Sequence, residues 1–352
     1  MTASLRTLPL IAIAVLLGAC NGSDTDTAND TASATQPSAP TENAPVVVYS
    51  SRAEQLIEPL FAAFTEETGI EVQYVTDSAQ PLIERLKAEG EDTPASLLLT
   101  VDAGVLWFAE QQGVLQPTNS EILDSAVPEA FRDPEGHWYG LSLRARTIVY
   151  DTRELSVDDL TGYADLADEK WKGRLCLRTS KKVYNQSLVA MMIAEFGEEQ
   201  AEALVRGWVA NLAQPVFSND TKLIEAIEDG RCDVGIVNSY YFGRLQRTRE
   251  LPVAIFWQPE ALGGAHVNVS GAGVTANAPN ATGAAQLLEW FASDKGQQMF
   301  ASLNLEFPVV ASIPVDPIVA AWGEMAPSDQ TLVDAGRLQA DAVKLMDRAG
   351  YR

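Results

Sequence analysis

What most constrains this chain is the alternation of short β-branched runs with helical ones, occurring twice around one long extended segment. "VVVYSS" (46–51) is followed by "AEQLIEPLFAAFTEETG", in which Leu56, Leu60, Phe61 and Phe64 recur at helical spacing until Gly69 stops the run. "IEVQYVT" then reads as a strand, "AQPLIERLKAEG" as a helix, "ASLLLTV" as a buried strand and "AGVLWFAEQQG" as another helix. Strands alternating with helices require βαβ units, and so a mainly parallel sheet with helices on its faces. Right-handed crossovers gather the loops at the carboxyl ends of the strands, where open α/β sheets bind ligands.

The alternation breaks at "GHWYGLSLRARTIVYDTREL", where 138–150 is long, extended and β-rich, as expected of a segment passing between two lobes. A second α/β run follows, with "RLCLRT", helices over 185–196 and 198–212, a strand "PVFS", the helix "TKLIEAIEDG" and the strand "DVGIVN". After "VAIFW", the Gly-rich "HVNVSGAGV" reads as the return crossing, ahead of a helical tail. A chain of 352 residues is long enough for two cores. The expected organisation is a first lobe over 45–142 and 273–352, with the second lobe, 143–272, inserted between them.

At the start, Arg6 precedes the apolar stretch 8–17, and Gly18 and Ala19 lead into Cys20. Residues 1–19 read as an export signal, too short to be a spanning helix. "LLGAC" resembles the bacterial lipobox, whose cysteine becomes lipid-modified after cleavage; the alternative is a plain secretory signal. Residues 21–44 carry no aromatic or large aliphatic residue and read as a tether that would hold a folded body near a membrane. The formal charge of -23 argues against nucleic acid and anionic lipid as electrostatic partners. It fits a salty habitat, a cationic ligand, or simply solubility. Cys176 and Cys232, in an exported chain, read as one disulfide. Isolated cysteines and two histidines, His137 and His266, offer no zinc-ligand cluster, and His137 reads as an exposed turn residue.

"VNSYYFGR" (237–244) places two tyrosines side by side after a buried strand. Together with "VVVYSSRAEQLIEPLFAAFTEETGIEV", "GLSLRARTIVYD", "RLCLRTSKKVYNQSLVA" and "HVNVSGAGV", it makes the chain resemble the ferric-iron-binding solute receptors of bacterial ABC importers. The resemblance runs from Val46 to the last helix. It implies the two-lobed type II periplasmic-binding-protein fold, two doubly wound α/β sheets joined by extended hinge segments that let the lobes close. It also implies a monomer without catalysis that captures Fe(III) in the periplasm and hands it to a permease and ATPase; the lipobox would add an anchor to membrane lipid through Cys20.

In that family phenolates of the second lobe grip the metal, and the matching positions are Tyr184, Tyr240 and Tyr241. The chemistry agrees, because ferric iron is hard and trivalent and prefers anionic oxygen to nitrogen or thiolate. With Asn238 or Ser239 capping a helix, the adjacent tyrosines fall in its first turn, about 100° apart. A continuing strand would send them to opposite faces.

The first lobe departs from the family pattern. A histidine, sometimes with a tyrosine, follows the loop arginine in relatives, whereas here Arg52 is followed by Ala53 and Glu54. Glu54 reads either as a carboxylate ligand or as a solvated residue of a helix first turn. Relatives lacking the histidine complete the metal with water or with an anion, usually carbonate. Arg144 and Arg146 alternate and so share one side of an extended segment, and Arg144 resembles the family's anion-binding arginine. An interlobe ion pair is the alternative. Arg52 and Arg244, the latter one helical turn beyond Tyr241, are expected behind the ligands, Arg244 partnering a tyrosinate or a surface carboxylate. Tyr49 reads as a packing residue, and Asp102, Gly104, Ser270, Gly271 and Gly273 as cleft wall and hinge. A second function keeps the fold but changes the cargo to a small organic anion or phosphonate held by Arg144 and Arg146. A hydrolase is disfavoured, since neither G-x-S-x-G nor H-E-x-x-H occurs.

Overall fold

β1 (Val46–Ser50) lies between β2 (Val72–Thr76) and β3 (Leu97–Thr100) and runs parallel to both, as the alternation requires. The computed structural model describes residues 44–329 and 331–352, so the export signal, Cys20 and nearly all of the tether fall outside the described residues. β4 (Tyr139–Asp151) is buried along all 13 residues. β5 (Leu175–Cys176), β6 (Val234–Asn238), β7 (Val253–Phe256), β8 (His266–Val274) and β9 (Phe307–Pro308) complete the strands. The expected "PVFS" strand is reduced to a single bridge between Phe217 and Arg178.

Instead of two separate sheets, the hydrogen bonds trace one continuous nine-stranded path, β2-β1-β3-β8-β4-β6-β5, with β7 and β9 also on β4. Length explains this, because β4 and β8 each reach into both halves. β8 pairs β3 at its far end and β4 along most of its course, from His266 opposite Arg146 to Ala272 opposite Tyr139. The β4 register shifts between Gly140 and Ser142. A Cβ at Gly140 would stand 2.6 Å from the Phe131 carbonyl, so this irregularity needs glycine.

Apolar side chains separate into distinct cores. One, on the β1–β3 side, includes Tyr49, Phe64, Leu98, Trp138 and Phe291. On the β6 side, Ile236 joins a cluster with Trp171, Leu188 and Trp208, while its neighbour Val237 faces a different cluster with Ile224 and Phe242. Successive strand residues thus feed opposite faces of the sheet. The disulfide Cys176–Cys232, with Cα atoms 5.9 Å apart, ties β5 to the turn entering β6. Such a closure contributes about 2–4 kcal/mol.

The end of the chain corrects the expected domain boundaries. The last helix, Gln339–Arg348, was expected with the first lobe, yet it packs on helices Val183–Phe196 and Glu198–Ala210. Its Ala342, Leu345 and Met346 lie at i, i+3 and i+4 and complete the Trp171–Trp208 core. Just before it, the helix Leu332–Arg337 touches both helix Ala103–Gln111 and helix Val183–Phe196, one from each half. The backbones meet at Gly104, where a Cβ would lie 2.9 Å from the Gly336 nitrogen. Among the described residues, no helix is long and apolar enough to cross a membrane.

Candidate functional site

The strand β6 ends at Asn238, and the helix Ser239–Gln246 begins at once, so Tyr240 and Tyr241 occupy its first turn. Asn238 takes the extended N-cap conformation without capping through its side chain. Its oxygen instead accepts from Arg146 at 3.3 Å, and its amide donates to the Tyr240 hydroxyl at 3.3 Å. Tyr184 likewise sits in a first turn, that of the helix Val183–Phe196. Two helix starts therefore aim phenols at one point. The Tyr240 hydroxyl donates to that of Tyr184 at 3.5 Å, and the Tyr240 and Tyr241 rings lie 4.5 Å apart.

All three phenols line a cavity of about 260 Å³. Arg144, Arg244 and Ser270 share this lining, and the opposite wall comes from Ser51, Arg52, Gln55 and Val101. A hollow of about 440 Å³ lies elsewhere, around Phe131, Trp138 and Leu332, but its lining is mainly apolar and includes none of these phenols.

Guanidinium groups surround the phenols. Arg144 stands 5.0 Å from the Tyr184 ring, Arg178 5.3 Å from Tyr184 and 5.8 Å from Tyr241, and Arg244 4.8 Å from Tyr240 and 5.7 Å from Tyr241. Such contacts orient neutral rings weakly and would strengthen if the phenols ionised. Burial, and then the neighbouring Tyr184 and Tyr241, push the Tyr240 phenol well above the usual tyrosine range, with Arg144 acting against them. Without a cation, Tyr240 keeps its proton at neutral pH.

The arginines are fixed from behind. Asp220, fully buried, accepts from Arg146 at 2.7 Å and Arg178 at 3.2 Å. Arg146 also donates to Asn185 and to the Ile236 carbonyl, and it does not line the cavity. Residues two apart on a strand share a face but stand roughly 7 Å apart along it. Arg144 therefore reaches the cleft while Arg146 lies under its floor. Arg52 donates to Glu306 at 3.0 and 3.1 Å, and Glu306 also accepts from Ser142 at 2.6 Å. Arg244 retains a buried guanidinium nitrogen without a partner.

Other expected residues fall away from the cleft. Glu54 is exposed, accepts from Tyr74 at 3.0 Å and does not reach the cavity. Tyr49 turns to Glu89 at 2.9 Å, and burial followed by that carboxylate raises its pKa to about 12. Gly271 and Gly273 permit close strand contact, their Cβ positions lying 2.6 and 2.3 Å from carbonyls of Tyr139 and His137. His137 is half-buried beside Asp133, not an exposed turn residue. Asp102 caps the helix Ala103–Gln111 and crosses to the other half, accepting from Ser187 at 2.5 Å and from Asn268 at 2.8 Å.

The sequence reading missed Glu306 and Gln55, which line the cleft, and Arg178 and Asp220, which lie buried behind the phenols. Glu306 meets Arg52 across 254 positions, and Asp220 meets Arg178 across 42, so no local spacing announces either pair.

Two α/β cores joined through β4 and β8, with a polar cleft where the strands end, define a two-lobed solute-binding protein. Residues 92–332 match the family model described as bacterial extracellular solute-binding protein. The chain belongs to that family. It is 42% identical over 320 residues to Iron uptake protein A1 of Synechocystis sp., covering 89% of each chain. A Trichodesmium protein solved in complex with iron and citrate matches the fold with a TM-score of 0.82 at 40% identity, over 88% of this chain and 100% of that one. Apo ferric ion-binding protein A of Pasteurella haemolytica gives 0.83 at 35% identity, over 88% and 98%.

Proposed function

We propose that this chain is the ferric-iron receptor of an ABC importer, capturing Fe(III) through the oxygens of Tyr184, Tyr240 and Tyr241 and delivering it to a permease and its ATPase. The carrying observation is the 3.5 Å approach of two phenol oxygens from separate helix starts, with a third phenol ring centred 4.5 Å from one of theirs. Three phenolates neutralise a trivalent cation with hard donors. Lobes over 45–142 with 273–338, and over 143–272 with the tail, would close on the cargo. Export, with lipid attachment at Cys20, keeps the receptor beside its importer.

The neighbourhood also calls for an anion. Five guanidiniums (Arg52, Arg144, Arg146, Arg178, Arg244) face three buried carboxylates (Asp102, Asp220, Glu306), leaving a positive excess that a neutral iron–phenolate centre does not offset. Carbonate or a small polycarboxylate, held by Arg144 and Arg244 with Arg52 opposite, satisfies both the iron and that excess.

Ferric citrate added to the purified protein should generate a phenolate-to-iron absorption band in the visible, absent from the Tyr240→Phe/Tyr241→Phe double variant. A protein that stays colourless, with an unchanged melting temperature, refutes the assignment, since a tight ligand must raise stability. The same positive excess favours a second reading, an organic anion or phosphonate as the cargo itself. Calorimetry with such anions in the absence of iron separates the two.

A further inference from the structure

We propose that Glu110, Asp133 and His137 form a second metal site, for a divalent transition cation of the zinc class, on the first lobe and apart from the cleft. Glu110 lies at the C-terminal end of the helix Ala103–Gln111, about 10 Å along it from the end that Asp102 caps toward the cleft. Asp133 and His137 belong to the loop that feeds β4. One ligand atom from each of the three residues falls within 4.8 Å of the other two. A zinc ion with bonds of about 2.0–2.2 Å spaces its ligands by roughly 3–4 Å, inside that envelope.

The arrangement is preorganised. An oxygen of Asp133 accepts from the backbone nitrogens of Glu135 and His137, both at 3.0 Å, and lies 2.9 Å from His137 Nδ1. The loop is thereby wrapped around a carboxylate that is only 5% exposed. Glu110 is less settled. One of its oxygens takes a single long bond from Gln111 at 3.3 Å, and the other is buried without a hydrogen-bond partner. Burial, and then the charge of Asp133 opposite, hold the Glu110 carboxyl above its ordinary range, with His137 and the Trp138 indole acting against them.

No lysine or arginine among the described residues forms an ion pair with Glu110 or Asp133; the His137 imidazole is the basic group beside them. Two oxygen ligands and one nitrogen, with solvent completing the sphere, suit zinc better than calcium or magnesium, which favour all-oxygen sets. Metal at this point would clip the end of the helix to the loop entering β4.

The test uses the full chain carrying Tyr184→Phe, Tyr240→Phe and Tyr241→Phe, so that the cleft contributes no phenolate, stripped with chelator and titrated with Zn²⁺ at 150 mM salt. A single tight site is expected, weakened at least about tenfold by Glu110→Gln and by His137→Asn. Co²⁺ should give visible ligand-field bands that His137→Asn removes. Metal-free melting temperatures of both variants, close to that of the parent, show that the loop still folds. Zinc isotherms unchanged in both variants, or only weak multisite uptake by the parent, would overturn the proposal.

Discussion

On one wall of the cleft, Tyr240 and Tyr241 lie side by side at the start of a helix, with the Tyr184 hydroxyl 3.5 Å from that of Tyr240, while the facing wall offers Ser51, Gln55, the Val101 segment and the guanidinium of Arg52. The first wall supplies oxygens that become anionic, and the second supplies mainly donors. Glu306 is the facing wall's carboxylate, and Arg52 and Ser142 already occupy it. Under the proposed function this separates two tasks. The phenol wall takes the metal, and the donor wall reaches the accompanying anion, so closure is favoured only by the complete cargo.

The largest effect should come from the phenol wall. Replacing Tyr184 and Tyr240 by Phe removes two of the proposed ligands, and since outer partners of metal ligands alone cost about 10–100-fold, the loss should exceed roughly 1,000-fold in a chelator competition. Arg52→Ala on the facing wall should cost only about 10–100-fold, and only when carbonate or citrate is present. Equal losses from both walls would erase the distinction.

Proton release should follow the same asymmetry. The Tyr240 pKa is raised in the metal-free protein, so the proton is held more firmly there and must leave on binding. Affinity should therefore fall as pH falls, by up to about tenfold per pH unit for each proton released. Calorimetry in two buffers of different ionisation enthalpy should count about three protons. A count near one would mean that the phenols are not the ligands.

Behind the phenol wall, Asp220→Asn should leave Arg146 and Arg178 buried without their shared counter-charge and cost about 3–5 kcal/mol in urea denaturation. Little change would mean that the arginines are positioned by their other bonds. The smallest effect belongs to Glu54→Gln on the donor side, which should leave iron affinity within about twofold, given that Glu54 is exposed and engaged by Tyr74. A large loss there would move a first-lobe carboxylate into the coordination sphere.

Much of this was legible in the chain. Apolar periodicity announced the β1–β3 units, and the adjacent tyrosines lie in a helix first turn, as a capped strand end requires. Asn238 takes the cap position, but its side chain serves Arg146 and Tyr240 instead, because a buried guanidinium beside it competes for the oxygen. Sequence spacing failed where partners are remote. The one-path sheet depends on β8 returning to β3 over more than 170 positions, and the Arg178 guanidinium is held by Asp220, 42 positions away. Arg144 and Arg146 share a face, as alternation says, yet alternation carries no information about where along that face the cavity ends.

The Cys176–Cys232 cross-link lies just upstream of Arg178 on one side and of the strand leading to Tyr240 on the other. Thiols stay reduced in the bacterial cytosol and oxidise outside it. The bond that ties β5 to the turn entering β6 can thus form only after the polypeptide has left its birthplace, so the fold beneath the phenols gains its covalent brace on the far side of the membrane.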